Sequence, residues 1–144
     1  MKFRLIIDKE KAEEVVVTAH ERSPLVMQLQ ALAEGQDRVT AYTDGGIKML
    51  PFSCIDCITV LDGKTFAIDE GGQKYRLKQR LYELEEALPS CFIRINKSTL
   101  ANETRIDRFA VTYSGAVDAV FCCGYREYVS RRCFAQIKRR FEGK

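Results

Sequence analysis

Apolar and polar positions alternate with period two along most of this chain, and switch to helical spacing at three places. Phe3, Leu5 and Ile7, set among Arg4, Ile6 and Asp8, read as a half-buried strand. A polar connection follows, and Val15-Val16-Val17 is a β-branched run suited to a second strand. Ser23-Pro24 then supplies an N-cap and a proline at the first helical position. Leu25, Val26, Leu29 and Leu32 recur at helical spacing, and Gly35 closes the helix. These elements make a short ββα unit, residues 1–37, with Gly35-Gln36-Asp37-Arg38 as the boundary. Such a unit is too small to bury enough surface alone. Its apolar face is expected to rest on the following domain or on a second copy of the chain.

Residues 38–144 read differently. Short β-type runs occupy residues 39–43, 47–50, 55–61, 65–69 and 74–77, separated by Asp44-Gly45-Gly46, Asp62-Gly63-Lys64 and Glu70-Gly71-Gly72. Asp-Gly and Gly-Gly supply the positive φ angles of tight hairpins. Leu81, Leu84 and Leu88, with Glu83, Glu85 and Glu86 outside, predict an amphipathic helix stopped by Pro89. A further strand runs through Phe92, Ile93 and Ile95, and Leu100 and Ala101 restore burial after a polar corner. Residues 109–113 and 116–122 predict a hairpin across Ser114-Gly115, and residues 125–129 another strand. Ser130 caps a final helix whose Phe134, Ile137 and Phe141 face inward while Arg131, Arg132, Lys138, Arg139 and Arg140 face out. The expected fold class is mostly β with small helices, preceded by the ββα unit.

Composition changes this picture little. The 144 residues suffice for one substantial core with a small appendage, and no apolar run approaches the roughly 20 residues that span a bilayer. The apolar stretch near Met1 is too short for a signal peptide, so a cytoplasmic protein is expected. Charge distribution matters more. The net charge is +3, but residues 92–144 carry eleven Lys or Arg against five Asp or Glu, a net +6. Residues 1–37 carry five against seven, a net −2. That asymmetry suggests a polyanion-binding face held apart from another function.

The six cysteines do not form a metal signature. Cys54 and Cys57, and the pair Cys122-Cys123, fall in runs read as strands, where residues one or three apart point to opposite faces. They are expected to be reduced, mostly buried thiols, and no metal or cofactor is expected. An enzyme is not expected either. His20 is the one histidine and lies in the acidic unit, and Lys97-Ser98 neighbours diverge on an extended chain. The Gly-Gly pairs join strands instead of opening a phosphate-binding helix.

Residues 92–106, FIRINKSTLANETRI, carry the most specific pattern. Arg94 and Lys97 cannot both hide in a small core, so a cationic corner with amide and hydroxyl donors projects from a packed strand pair. Phe92, Arg94, Asn96, Ser98, Leu100 and Asn102 resemble the signature of LytTR-type DNA-binding domains: an aromatic strand, Arg-x-(Asn/His)-x-Ser, an aliphatic pair and Asn. Tyr128-Val129-Ser130-Arg131-Arg132, leading into the basic helix, is a second match in the same order. The resemblance covers about residues 38–141.

It implies a compact, mostly β fold that contacts duplex DNA chiefly through loops. Three loop positions map to Lys64, Lys97 and Arg132, and Arg132 has the fork that pairs with guanine O6 and N7. Family members often carry Glu where Ile58 stands here. The full candidate set is Lys64, Arg94, Asn96, Lys97, Ser98, Arg131, Arg132 and Lys138. The N-terminal unit is too short for a doubly wound receiver domain, which argues against control by aspartyl phosphorylation, and it is expected to make a homodimer. The expected function is a sequence-specific transcriptional regulator that binds double-stranded DNA. The alternatives are an RNA-binding module, which calls for exposed aromatics, or an interaction domain that binds no nucleic acid.

Overall fold

Ten strands in two antiparallel sheets realise the period-two pattern among the described residues, which are 2–33 and 38–142 of this computed structural model. The chain divides into two compact units, Met1–Gln36 and Asp37–Lys144. In the second, β1 (Arg38–Thr43), β2 (Gly46–Pro51), β3 (Ile55–Leu61), β4 (Lys64–Asp69) and β5 (Lys74–Leu77) precede helix α2 (Leu81–Ala87). After it come β6 (Phe92–Asn96), β7 (Thr99–Asn102), β8 (Ile106–Val111), β9 (Val117–Phe121), β10 (Arg126–Val129) and helix α3 (Arg131–Glu142). Strands β2-β1-β5-β4-β3-β7-β6 form one sheet and β10-β9-β8 the other. The β3–β4 turn is a two-residue hairpin in which Asp62 and Gly63 both take positive φ, 51° and 74°. That is the primed turn whose twist matches the flanking strands.

Alternation along the large sheet builds two cores. Ile58, Ala67, Leu77 and Leu100 meet Leu81, Leu84 and Leu88 of the α2 region on one face. Cys57, Ile68, Ile95 and Ala101 meet Val117, Ala119, Phe121, Val129 and Ile137 on the other. Strand β3 is therefore buried on both faces from Ile55 to Thr59, and Ile58, where the resemblance leads one to expect Glu, has no exposed surface. A bulge between Ile55 and Cys57 puts Ile55 and Ile58 in the same core although they stand three apart. It also turns Asp56 to meet Arg105 Nε at 2.8 Å and the Cys123 backbone N–H at 3.4 Å. Asn102, 1% exposed, donates to the Ile55 carbonyl at 3.0 Å and accepts from the Thr104 backbone N–H and hydroxyl.

The bulge corrects the expectation for the cysteines, since spacing of three does not separate faces there. Cys54 lies in a 3-10 turn (Phe52–Cys54) and Cys122-Cys123 in the turn after β9, not in strands. All six thiols are free, but only Cys57 is buried, and Cys122 is exposed. No group of residues suited to a metal ion occurs among the described residues.

In the first unit, helix α1 (Pro24–Ala33) starts where the cap pattern places it. Ser23 Oγ accepts from the Val26 N–H at 3.3 Å, and the Ser23 carbonyl from the Met27 N–H at 3.1 Å. The expected stop at Gly35, the boundary residues 35–37, and the side chains of Leu32 and Phe141 lie outside what is described. The two expected strands do not form. Residues 3–7 and 15–17 pair with no other strand, and Phe3 is 89% and Ile7 81% exposed. An alternating pattern becomes a strand only when another edge completes its hydrogen-bond ladder, and the described part of the chain gives these segments no such edge. No described helix is long and apolar enough to cross a membrane.

Candidate nucleic-acid interface

The corner between β6 and β7 is braced by its own polar residues. Asn96 Oδ1 accepts from the Ser98 N–H at 2.8 Å, closing an Asx turn over Lys97. Arg94 donates to the Lys97 carbonyl at 2.8 Å and pairs with the Glu85 carboxylate of α2. Below the turn, the Thr59 and Thr99 hydroxyls share a 2.8 Å hydrogen bond across β3 and β7. With its neighbours so used, the Lys97 side chain is exposed and makes no ion pair among the described residues.

This corner is pinned to the start of α3. Asn96 Nδ2 donates to the Tyr128 carbonyl at 2.6 Å, and the Ser130 N–H donates to the Ile95 carbonyl at 2.8 Å. Ser130 Oγ caps α3 by accepting from the Cys133 N–H at 3.2 Å. The two signature stretches, some thirty residues apart in sequence, thus meet in space. Arg131 and Arg132 fill the first turn of α3, both exposed, and that turn holds no acid. A helix N-terminus is electropositive, so two cations there are unfavourable by a few tenths of a kcal/mol each until an anion arrives.

The two stretches enclose an open groove of about 960 Å³, lined by Arg94, Asn96, Lys97, Ser98 and Arg132 among others. Five of the eight candidate residues therefore share one site. Lys64, Arg131 and Lys138 are exposed but do not line it. Lys64 sits opposite Leu61, which does line it, and Lys138 Nζ lies 3.9 Å from Glu142. The roles divide, however. Arg94 and Asn96 act inside the protein, whereas Lys97 and Arg132 are the cations left facing solvent.

Sequence reasoning missed Tyr128, Gln136 and Glu127 in the same groove. Gln136 follows Arg132 by four residues on α3 and so shares its face, which helical spacing could have revealed. Glu127 accepts from the Tyr125 hydroxyl at 2.8 Å. Burial, reinforced by that bond, pushes the Tyr125 phenol up. Nor are all aromatics in the core, since Tyr82, Tyr113 and Tyr128 are exposed.

The family model of the LytTr DNA-binding domain matches residues 45–142. The chain belongs to this family. A LytTr DNA-binding domain from Bacillus cereus superposes with a TM-score of 0.66 at 28% identity, covering 75% of this chain and 98% of that one. Two Staphylococcus aureus proteins, from strains MSSA476 and N315, are each 30% identical over 144 residues, 97% of both chains. Both bear the name uncharacterized HTH-type transcriptional regulator. In this LytTR chain, α2 and α3 are separated by five strands, so they do not form a helix-turn-helix. The likeness to a LytTr domain fits a surface of loops around a β core.

Proposed function

We propose that this LytTR chain is a sequence-specific transcriptional regulator that binds duplex DNA without making or breaking bonds. One observation carries the reading: Lys97 and Arg132, from distant parts of the sequence, line one groove and face solvent without a carboxylate partner among the described residues. Arg132 reads a guanine edge, Lys97 and Lys64 bind phosphate or base edges, and Arg131 and Lys138 bind phosphate. Arg94, Asn96 and Ser98 hold the corner in shape. The chain acts as a homodimer through Met1–Gln36, whose Phe3, Leu5, Ile6, Ile7, Val15 and Val16 are exposed.

Selection of bound fragments from a random duplex pool tests this. A consensus should emerge, and Arg132→Ala should relax it at one or two positions at a cost of roughly 1–3 kcal/mol. Lys138→Ala should weaken all sequences alike. No enriched sequence, together with no retarded duplex at low salt, rejects the reading.

A further inference from the structure

The outer part of the large sheet carries a second cationic surface. Cross-strand partners share a face. Reading the register across the sheet gives one row: Tyr42 opposite Arg76, Arg76 opposite Phe66, Phe66 opposite Thr59, Thr59 opposite Thr99, and Thr99 opposite Asn96. The row ends in the groove, since Thr59 and Asn96 line it. Beyond the part covered by the small sheet, the same face carries Lys64 of β4, Lys74 and Arg76 of β5, and Lys78 just after it. Lys64, Lys74 and Lys78 are exposed, and Arg76 is half-buried. None of the four pairs with a carboxylate among the described residues, and this face of β1, β2, β4 and β5 carries no Asp or Glu.

We infer that this face of β4 and β5 binds the phosphate backbone of duplex DNA flanking the sequence held at the groove. The inference rests on the proposed DNA-binding function and extends it from Lys64, one of the three loop positions, to Lys74, Arg76 and Lys78, which lie outside them. The aromatic residues decide between backbone and bases. Lys78 Nζ lies 4.3 Å from the centre of the Tyr42 ring, and the Arg76 guanidinium 5.9 Å from that of Phe66. Each ring is already faced by a cation, so it holds that cation in place instead of offering itself to a base. Four strand spacings separate β5 from β6, roughly 19 Å at about 4.8 Å each. Along a duplex that distance is about five or six base pairs. The contact therefore needs DNA that extends past the consensus.

The test uses the full chain and the consensus duplex in two forms, trimmed to the consensus or carrying about ten further base pairs on each side. Lys74→Gln/Lys78→Gln leaves the Arg76–Phe66 contact intact, and Lys74→Gln/Arg76→Gln/Lys78→Gln removes all three charges. On the long duplex, the slope of log K against log salt should become less steep by about 0.9 per lost phosphate contact, roughly two to three in all. The trimmed duplex and the selected consensus should show no change. An unchanged slope on the long duplex, or equal losses on both lengths, overturns the inference. So does tighter binding of single-stranded DNA or RNA that Tyr42→Ala/Phe66→Ala abolishes, which would make the face a stacking platform. If Arg132→Ala still weakens binding while the triple variant does not, only this inference fails. If the unaltered protein binds no duplex, the proposed function fails, and this surface with it.

Discussion

Asn96 turns both ends of its amide inward, to the Ser98 N–H and the Tyr128 carbonyl. In the sequence it reads as a donor for nucleic acid, because a partner 32 residues away leaves no trace in a linear pattern. Lys97 and Arg132 are legible for the opposite reason: a cation at a polar corner or in the first turn of a basic helix has no local use. The same distant pairing explains why Asp56 and Arg105 escaped notice. Asp56 has no exposed side-chain surface, and Arg105, its guanidinium pushed up chiefly by the hydrogen bond to Asp56, is its cationic partner. Arg105→Met should therefore leave a buried carboxylate unpaired and cost about 3 kcal/mol, measured as a lower urea midpoint at unchanged slope. Cys57 gives a pH signature. Burial raises its thiol above the value of roughly 8.5 of an unfolded chain, so the folded state holds the proton more tightly. That contribution is complete below pH 8.5 and is lost as pH rises above it. Urea midpoints should fall between pH 8 and 10, and Cys57→Val should flatten the fall.

Among the elements, hairpins were the most readable. Asp62-Gly63 announces its own turn, and β3 and β5 occupy the residues that their patterns mark. Strand β8 begins three residues earlier than its pattern suggests, because Ile106 pairs with Phe121 across a bulge. The apolar runs at residues 3–7 and 15–17 mislead for a physical reason: alternation states which face wants burial but cannot supply the neighbouring edge. Among the described residues, both cores draw only on residues from Val39 onward. Deleting residues 1–36 should therefore leave a folded, cooperatively melting protein that still binds DNA. The full chain should sediment as a dimer at micromolar concentration and the deleted form as a monomer. A deletion that unfolds would assign the segment to the core, and a monomeric full chain would reject the dimer.

At the scale of the whole molecule, the sequence indicates a mostly β protein with a basic C-terminal part, but not its strand order. Pairing of β1 with β5 and of β3 with β7 joins segments about thirty to forty residues apart, and nothing local specifies which edges meet. Contacts so distant are slow to form, because the chain must close long loops before they stabilise it. The outcome leaves β3 enclosed: β4 and β7 on its edges, one core above and the other below. Solvent reaches only its groove end: Ile55–Thr59 are buried, whereas Val60 and Leu61 are half-buried. Amide protons of Cys57, Ile58 and Thr59 should exchange with deuterium only when the domain opens completely, and those of α1 far sooner. Mass spectrometry of timed exchange would show β3 keeping its hydrogen longest, so this one strand serves as the molecule's internal clock for global opening.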